Sequence, residues 1–153
     1  MCLHKQAAAL LGLLCCGGII AAGASAGEAP VELHFADPAL EWGPCPEFMP
    51  AGCAIAVLHG DPARENADIF FKVPAGVMVP RHSHTSAERM VLVSGELRVT
   101  YDGHDAVVMT PGSYAYGPPQ LPHDAFCSGP QACVLAIAFE QPVDAFLQEA
   151  GER

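Results

Sequence analysis

From Asp68 to Phe139 the chain is divided into short runs rich in β-branched and aromatic residues, each ended by a turn signal. The runs are Asp68 to Val73, Val77 to His84, Glu88 to Val93, Glu96 to Tyr101, Ala106 to Met109, Ser113 to Tyr116, His123 to Cys127 and Cys133 to Phe139. Between them stand Pro74-Ala75-Gly76, Ser94-Gly95, Asp102-Gly103 and Pro111-Gly112. Strands this short and this regularly spaced predict an all-β, antiparallel sandwich or barrel. Five prolines between Pro38 and Pro62 limit the preceding segment to short strands near Val31 to Phe35 and Ala54 to Leu58, so residues 27–67 read as an irregular N-terminal arm. Residues 68–140 then form the barrel, and 141–153 a tail in which Val143 to Ala150, followed by Gly151, reads as a short helix. A length of 153 residues leaves room for one domain.

Residues 1–26 read as a secretory signal peptide: Lys5, an apolar run from Ala7 to Ala22, then Ala24-Ser25-Ala26. The run is interrupted by glycines and too short for a membrane span. Residues before Cys15 and Cys16 do not suit a lipoprotein anchor. Loss of the leader leaves six basic side chains against 17 acidic ones, a charge near −11, which disfavours nucleic acid as a partner. Cys45, Cys53, Cys127 and Cys133 remain, an even number in a chain expected to be secreted and periplasmic. Proximity favours Cys45 with Cys53 and Cys127 with Cys133 among the three possible pairings, each worth roughly 2–3 kcal/mol for such short loops. No C-x-x-C spacing argues for a cysteine metal site instead.

His82 and His84 lie two apart in an extended run and so share a face, roughly 7 Å apart. Glu88 can join them only if the chain bends over Thr85 to Ala87. His123 stands alone in a later strand. Buried together, three imidazoles and a carboxylate are costly unless a cation pairs them, so the four are candidate ligands of one divalent transition metal: Fe, Mn, Zn, Ni or Cu. Four ligands would leave an octahedral ion two open positions, which permit catalysis without proving it.

These residues resemble the cupin family. Its first motif runs G, five residues, H-x-H, three or four residues, E, six residues, G, and is matched by Gly76, His82, His84, Glu88 and Gly95. Its second, G, five residues, P-x-G, two residues, H, three residues, N, is matched by Gly112, Pro118 and His123, with Gln120 in place of the Gly and Cys127 in place of the Asn. The resemblance implies a single-domain jelly-roll barrel with its metal ligands inside one end, and pairing of copies into a homodimer through sheets and arms, here through the Pro-rich segment 38–62.

Met90 and Leu92, in phase with Glu88, predict an apolar wall, and Leu97, Val99 and Tyr101 predict the inward phase of the next strand. Tyr114 and Tyr116 share a face ahead of His123 and are the candidate catalytic phenols; the same pattern also suits plain core aromatics. Arg81 and Arg89 alternate away from the ligands and read as rim residues, while His34, His59 and His104 lack ligand spacing. The leading expectation is an exported mononuclear-metal cupin binding a small organic molecule, resembling the quercetin dioxygenase-like cupins if it is an enzyme. The alternative is a non-enzymatic binding or sensing module similar to the zinc-binding cupin domain of certain anti-sigma factors. A decarboxylase or isomerase would want a charged pocket and ranks last.

Overall fold

A computed structural model describes residues 29–149. The expected leader lies outside the described residues. From Glu32 onward they belong to one compact unit, built of eleven strands: β1 (Gly43–Pro44), β2 (Ala54–His59), β3 (Ala67–Val73), β4 (Met78–Ser83), β5 (Glu88–Ser94), β6 (Leu97–Tyr101), β7 (Val107–Met109), β8 (Tyr114–Gly117), β9 (His123–Cys127), β10 (Cys133–Phe139) and β11 (Phe146–Leu147). Each run expected between residues 68 and 139 is a strand, within one or two residues at its ends. One antiparallel sheet has the order β1-β2-β3-β10-β5-β8, the other β11-β4-β9-β6-β7. The chain passes repeatedly from one to the other, so strands distant in sequence become neighbours.

A shared core joins the sheets: Ile69, Leu92, Leu135 and Ile137 come from one, Val79, Leu97, Val99 and Met109 from the other. On the outer side of the larger sheet, Phe35, Leu40 and Trp42 pack over Ala56, Phe70 and Val134. The Trp42 ring stacks on Phe70 at 6.4 Å and carries the Lys72 ammonium 3.7 Å from its centre, a cation–π contact. The pairs Cys45–Cys53 and Cys127–Cys133 are disulfide-bonded as sequence proximity favours, each with Cα atoms 5.8 Å apart.

Two expectations are corrected. Residues 31–35 form no strand; they lead into turns closed by Asp37 N–H donating to His34 O and Leu40 N–H donating to Asp37 O. The C-terminal segment is not helical where described. Phe146 and Leu147 pair instead with Ser83 and His82 of β4, because β4 offers an open edge whose backbone groups need partners. Gln148 N–H extends the ladder to Arg81 O at 3.0 Å.

The family glycine replaced by Gln120 has a visible reason. Gln120 sits at φ 60°, a left-handed conformation costly for a residue with a Cβ, and its N–H donates to His84 O at 2.8 Å. Gln120→Gly relieves that cost but loosens the unfolded chain, for a net gain of about 0.5–1 kcal/mol. Thermal denaturation should show a rise of about 2–5 °C; an unchanged or lowered midpoint would contradict this account.

Candidate metal centre

The site is built from rows across each sheet. In the smaller sheet, β-register sets His123 opposite His82 on one side and Tyr101 on the other. In the larger, Glu88 stands opposite Phe139 and Gly117. The pairing of β4 with β9 shifts between Val79 and His82, a bulge at Pro80 and Arg81. Both Val79 and His82 are buried although three residues apart. The bulge thereby changes the phase of the strand, carrying it from core residue to ligand. Beyond β4 the chain bends over Thr85 and Ser86, the bend that Glu88 needed. Buried Ser86 anchors it: its Oγ accepts from Glu140 N–H and Gln141 N–H and donates to Ala87 O.

His82, His84 and His123 bring their ligand nitrogens within 4.8 Å of one another, and these three side chains could hold a metal ion. The rings of His82 and His123 are 4.3 Å apart. Glu88 reaches the same place from the opposite sheet, with Oε1 3.3 Å from His84 Nε2 and Oε2 3.4 Å from His123 Nε2. All four residues are at most 8% exposed.

Each imidazole is turned by a backbone carbonyl. His82 Nδ1 donates to Pro80 O at 2.7 Å, His84 Nδ1 to Asp144 O, and His123 Nδ1 to Leu121 O at 3.2 Å. A carbonyl only accepts, so each Nδ1 carries the proton and each Nε2 is left with its lone pair. The lone pairs of His84 and His123 then face the Glu88 carboxylate, acceptor against acceptor, and buried His84 Nε2 has no hydrogen-bond partner. That arrangement repels itself unless a cation lies among the groups, so the residues present fit a divalent ion.

Burial, and then the neighbouring His123 and His84, lower the His82 pKa from 6.5 to about 3. Burial also lowers that of His123, against an opposing pull from Glu88. Both rings are therefore neutral, as ligation requires.

Tyr114 and Tyr116 are not part of the cluster. They lie on β8, an edge strand, 60% and 52% exposed, while Ala115 and Gly117 take the inward phase. The phenol beside the imidazoles is Tyr101, its ring 5.1 Å from that of His123 and its Oη buried without a hydrogen-bond partner. Burial and the nearby Glu88 charge raise its pKa, which keeps it a neutral donor. Gly117 explains how it fits. A Cβ there would lie 3.1 Å from both Glu88 Oε2 and Tyr101 Oη. No motif spacing reveals Tyr101 as a site residue, although its inward phase is readable. Asp144 is a further addition, its carbonyl turning His84 and its Oδ1 accepting Thr85 N–H at 2.8 Å.

Arg81 and Arg89 face away and pair with Asp102 and Glu140. Above the four residues lies a cavity of about 370 Å³, bordered by exposed Pro44 and Pro46 and walled by side chains such as Phe71, Met90, Val99 and Leu135.

Comparison with known proteins agrees with this architecture. A family model described as a cupin domain matches residues 69–139. No curated protein matches the sequence. Similar solved structures include the DMSP lyase DddQ from Ruegeria pomeroyi DSS-3, with 19% identity, a TM-score of 0.61 and coverage of 71% of this chain and 60% of that one. Bacillus subtilis oxalate decarboxylase, described with Mn(II) centres, has 21% identity and a TM-score of 0.56 over 64% of this chain and 28% of that one. A cupin 2 conserved barrel domain protein from Rhodopseudomonas palustris has 15% identity and a TM-score of 0.56 over 64% and 68%. The chain thus spans 60% of the length of the lyase, and these identities speak for the fold alone.

Two outcomes are expected. Folded His82 takes up its proton only near pH 3, whereas the unfolded residue does so near 6.5, so the unfolded chain binds more protons in between. Chelator-treated protein should lose stability as pH falls from about 6.5 toward 3, with no contribution from this group above that range; a denaturant midpoint constant from pH 7 to pH 4 would refute it. Gly117→Ala should displace Glu88 and weaken divalent-metal binding about 10- to 100-fold by titration, a loss unlike that of an ordinary surface Gly→Ala change.

Proposed function

We propose that this chain, whose residues 69–139 match a cupin domain model, is an exported cupin holding one divalent transition metal ion through His82, His84, Glu88 and His123, and that it uses this ion to act oxidatively on a small organic molecule. The observation carrying this reading is the set of neutral Nε2 lone pairs and carboxylate oxygens meeting beside a cavity with apolar walls. Two disulfides support an oxidising compartment, and the leader-like run at residues 1–26 supports export to the periplasm or the exterior.

A redox-active ion held there by His82, His84, Glu88 and His123 would supply Lewis acidity and electron exchange with dioxygen. The protein's own part is positional. Pro80, Asp144 and Leu121 keep three rings oriented through their carbonyls, as outer hydrogen bonds commonly do for ligating histidines. Glu88 is the carboxylate among the imidazoles and is placed to accept a proton from a bound hydroxyl at Oε1 or Oε2. Tyr101, neutral and lacking a partner at Oη, backs that carboxylate beside Gly117. The apolar walls exclude water from whatever is bound.

Metal analysis of protein purified without added metal should give near-stoichiometric Fe, Mn, Ni or Cu, and His84→Ala should lower metal affinity at least about 100-fold. Oxygen-electrode traces with a panel of phenols should then show uptake above metal-free controls. Unchanged metal loading in the variant would sink the ligand set. Persistent zinc with no oxygen uptake would sink the oxidative activity and leave a binding module.

A further inference from the structure

The cavity is selective in its chemistry, and its composition identifies what it takes. Of all the described side chains that line it, only His82, His84, Glu88, His123 and Asp144 carry ionisable or hydrogen-bonding groups. These five are grouped: Asp144 O holds His84 Nδ1, and the four others meet one another directly. The remaining lining is aliphatic, aromatic, proline, glycine or disulfide sulfur, and no Lys, Arg, Ser, Thr, Asn or Gln faces the space. The two arginines next to cluster residues in sequence, Arg81 and Arg89, are engaged outside with Asp102 and Glu140.

Charge accounting narrows the head group. Three neutral imidazoles and the Glu88 carboxylate would leave a divalent ion with about one positive charge, and Asp144, whose Oδ1 accepts from Thr85 N–H and which also lines the cavity, adds negative potential. A single neutral or monoanionic oxygen donor suits that environment. A dianion, or a charge at the far end of the molecule, would be buried without a partner at a cost of several kcal/mol. At about 370 Å³ the space lies in the lower range of small-molecule sites and holds about a dozen water-sized groups of about 30 Å³.

We propose that the natural ligand is an amphiphile of about a dozen non-hydrogen atoms, with one neutral or monoanionic oxygen donor directed at the histidine cluster and an otherwise apolar, uncharged body filling the cavity. This rests on the metal-centre reading for the head group and on the cavity alone for the body. It separates this protein by ligand chemistry from a site built for a small dicarboxylate, even though the fold resembles that of an oxalate decarboxylase.

The test uses the full disulfide-bonded protein, metal-loaded and chelator-treated, titrated calorimetrically with phenol and its 4-ethyl, 4-butyl, 4-hexyl and 4-octyl derivatives. Metal content is measured on the same samples. Affinity should rise about fourfold per added methylene until the cavity is full, near the hexyl compound, and then stop rising. The slope should persist in metal-free protein, with every member weaker by a constant factor, and a carboxylate at the tail of the hexyl compound should abolish the gain. A flat series in protein that does hold metal would overturn the ligand class and leave the metal centre standing. A persisting slope in protein that never takes up metal would uphold the apolar body and remove the metal reading. Oxalate binding more tightly than every phenol would overturn the proposal outright.

Discussion

Three imidazole lone pairs and one carboxylate, all buried and all directed at a common point, are the constraint around which this molecule is arranged. Such groups cannot satisfy one another, because each presents electrons where its neighbour does too. Much of the surrounding architecture serves to hold them in place. A bulge in β4 puts His82 in phase, a bend fixed by Ser86 brings Glu88 back, and a strand from the C-terminal tail secures the edge beside His82. The carbonyls of Pro80, Leu121 and Asp144 decide which nitrogen of each ring is left free.

The apolar side of the structure makes that constraint effective. Side chains from both sheets form the core, and the same inward phases continue upward as the walls of the cavity. In so dry a setting the pKa of His82 falls to about 3, so the ring stays a lone-pair donor rather than a cation. The fixed positive charges nearest the site in sequence are turned outward, Arg81 to Asp102 and Arg89 to Glu140. The polar lining of the cavity is thereby confined to this cluster and Asp144. The arm contributes on both sides of the larger sheet: Trp42 covers its outer face, while the loop closed by Cys45–Cys53 borders the cavity.

Strand positions were readable to within a residue or two because turns of Gly, Pro, Asp and Ser punctuate them and the inner residues alternate. His82, His84, Glu88 and His123 were readable as a group because their spacing is that of the family motifs, and the structure brings them together. Tyr114 and Tyr116 show where such reading stops. Alternation says that they share a face but not which face is inward, and on edge strand β8 the small residues Ala115 and Gly117 point in. The reason is local crowding, since Glu88 and Tyr101 already fill the space next to Gly117. The tail from Val143 onward has a helix-like pattern, yet the open backbone groups of β4 outweigh so short a preference.

By itself the sequence determined the local quantities: where strands begin and end, which cysteines lie close enough to pair, and which side chains have the chemistry of ligands. These depend on neighbours a few positions apart, and spacing records them. Tertiary structure alone decided which phenol stands at the cluster, that Asp144 orients His84 from 60 residues away, and that no charged side chain besides the cluster and Asp144 lines the cavity. Those properties arise when two sheets fold their inner faces together, and register across strands far apart in the chain is set by the packing of the whole core.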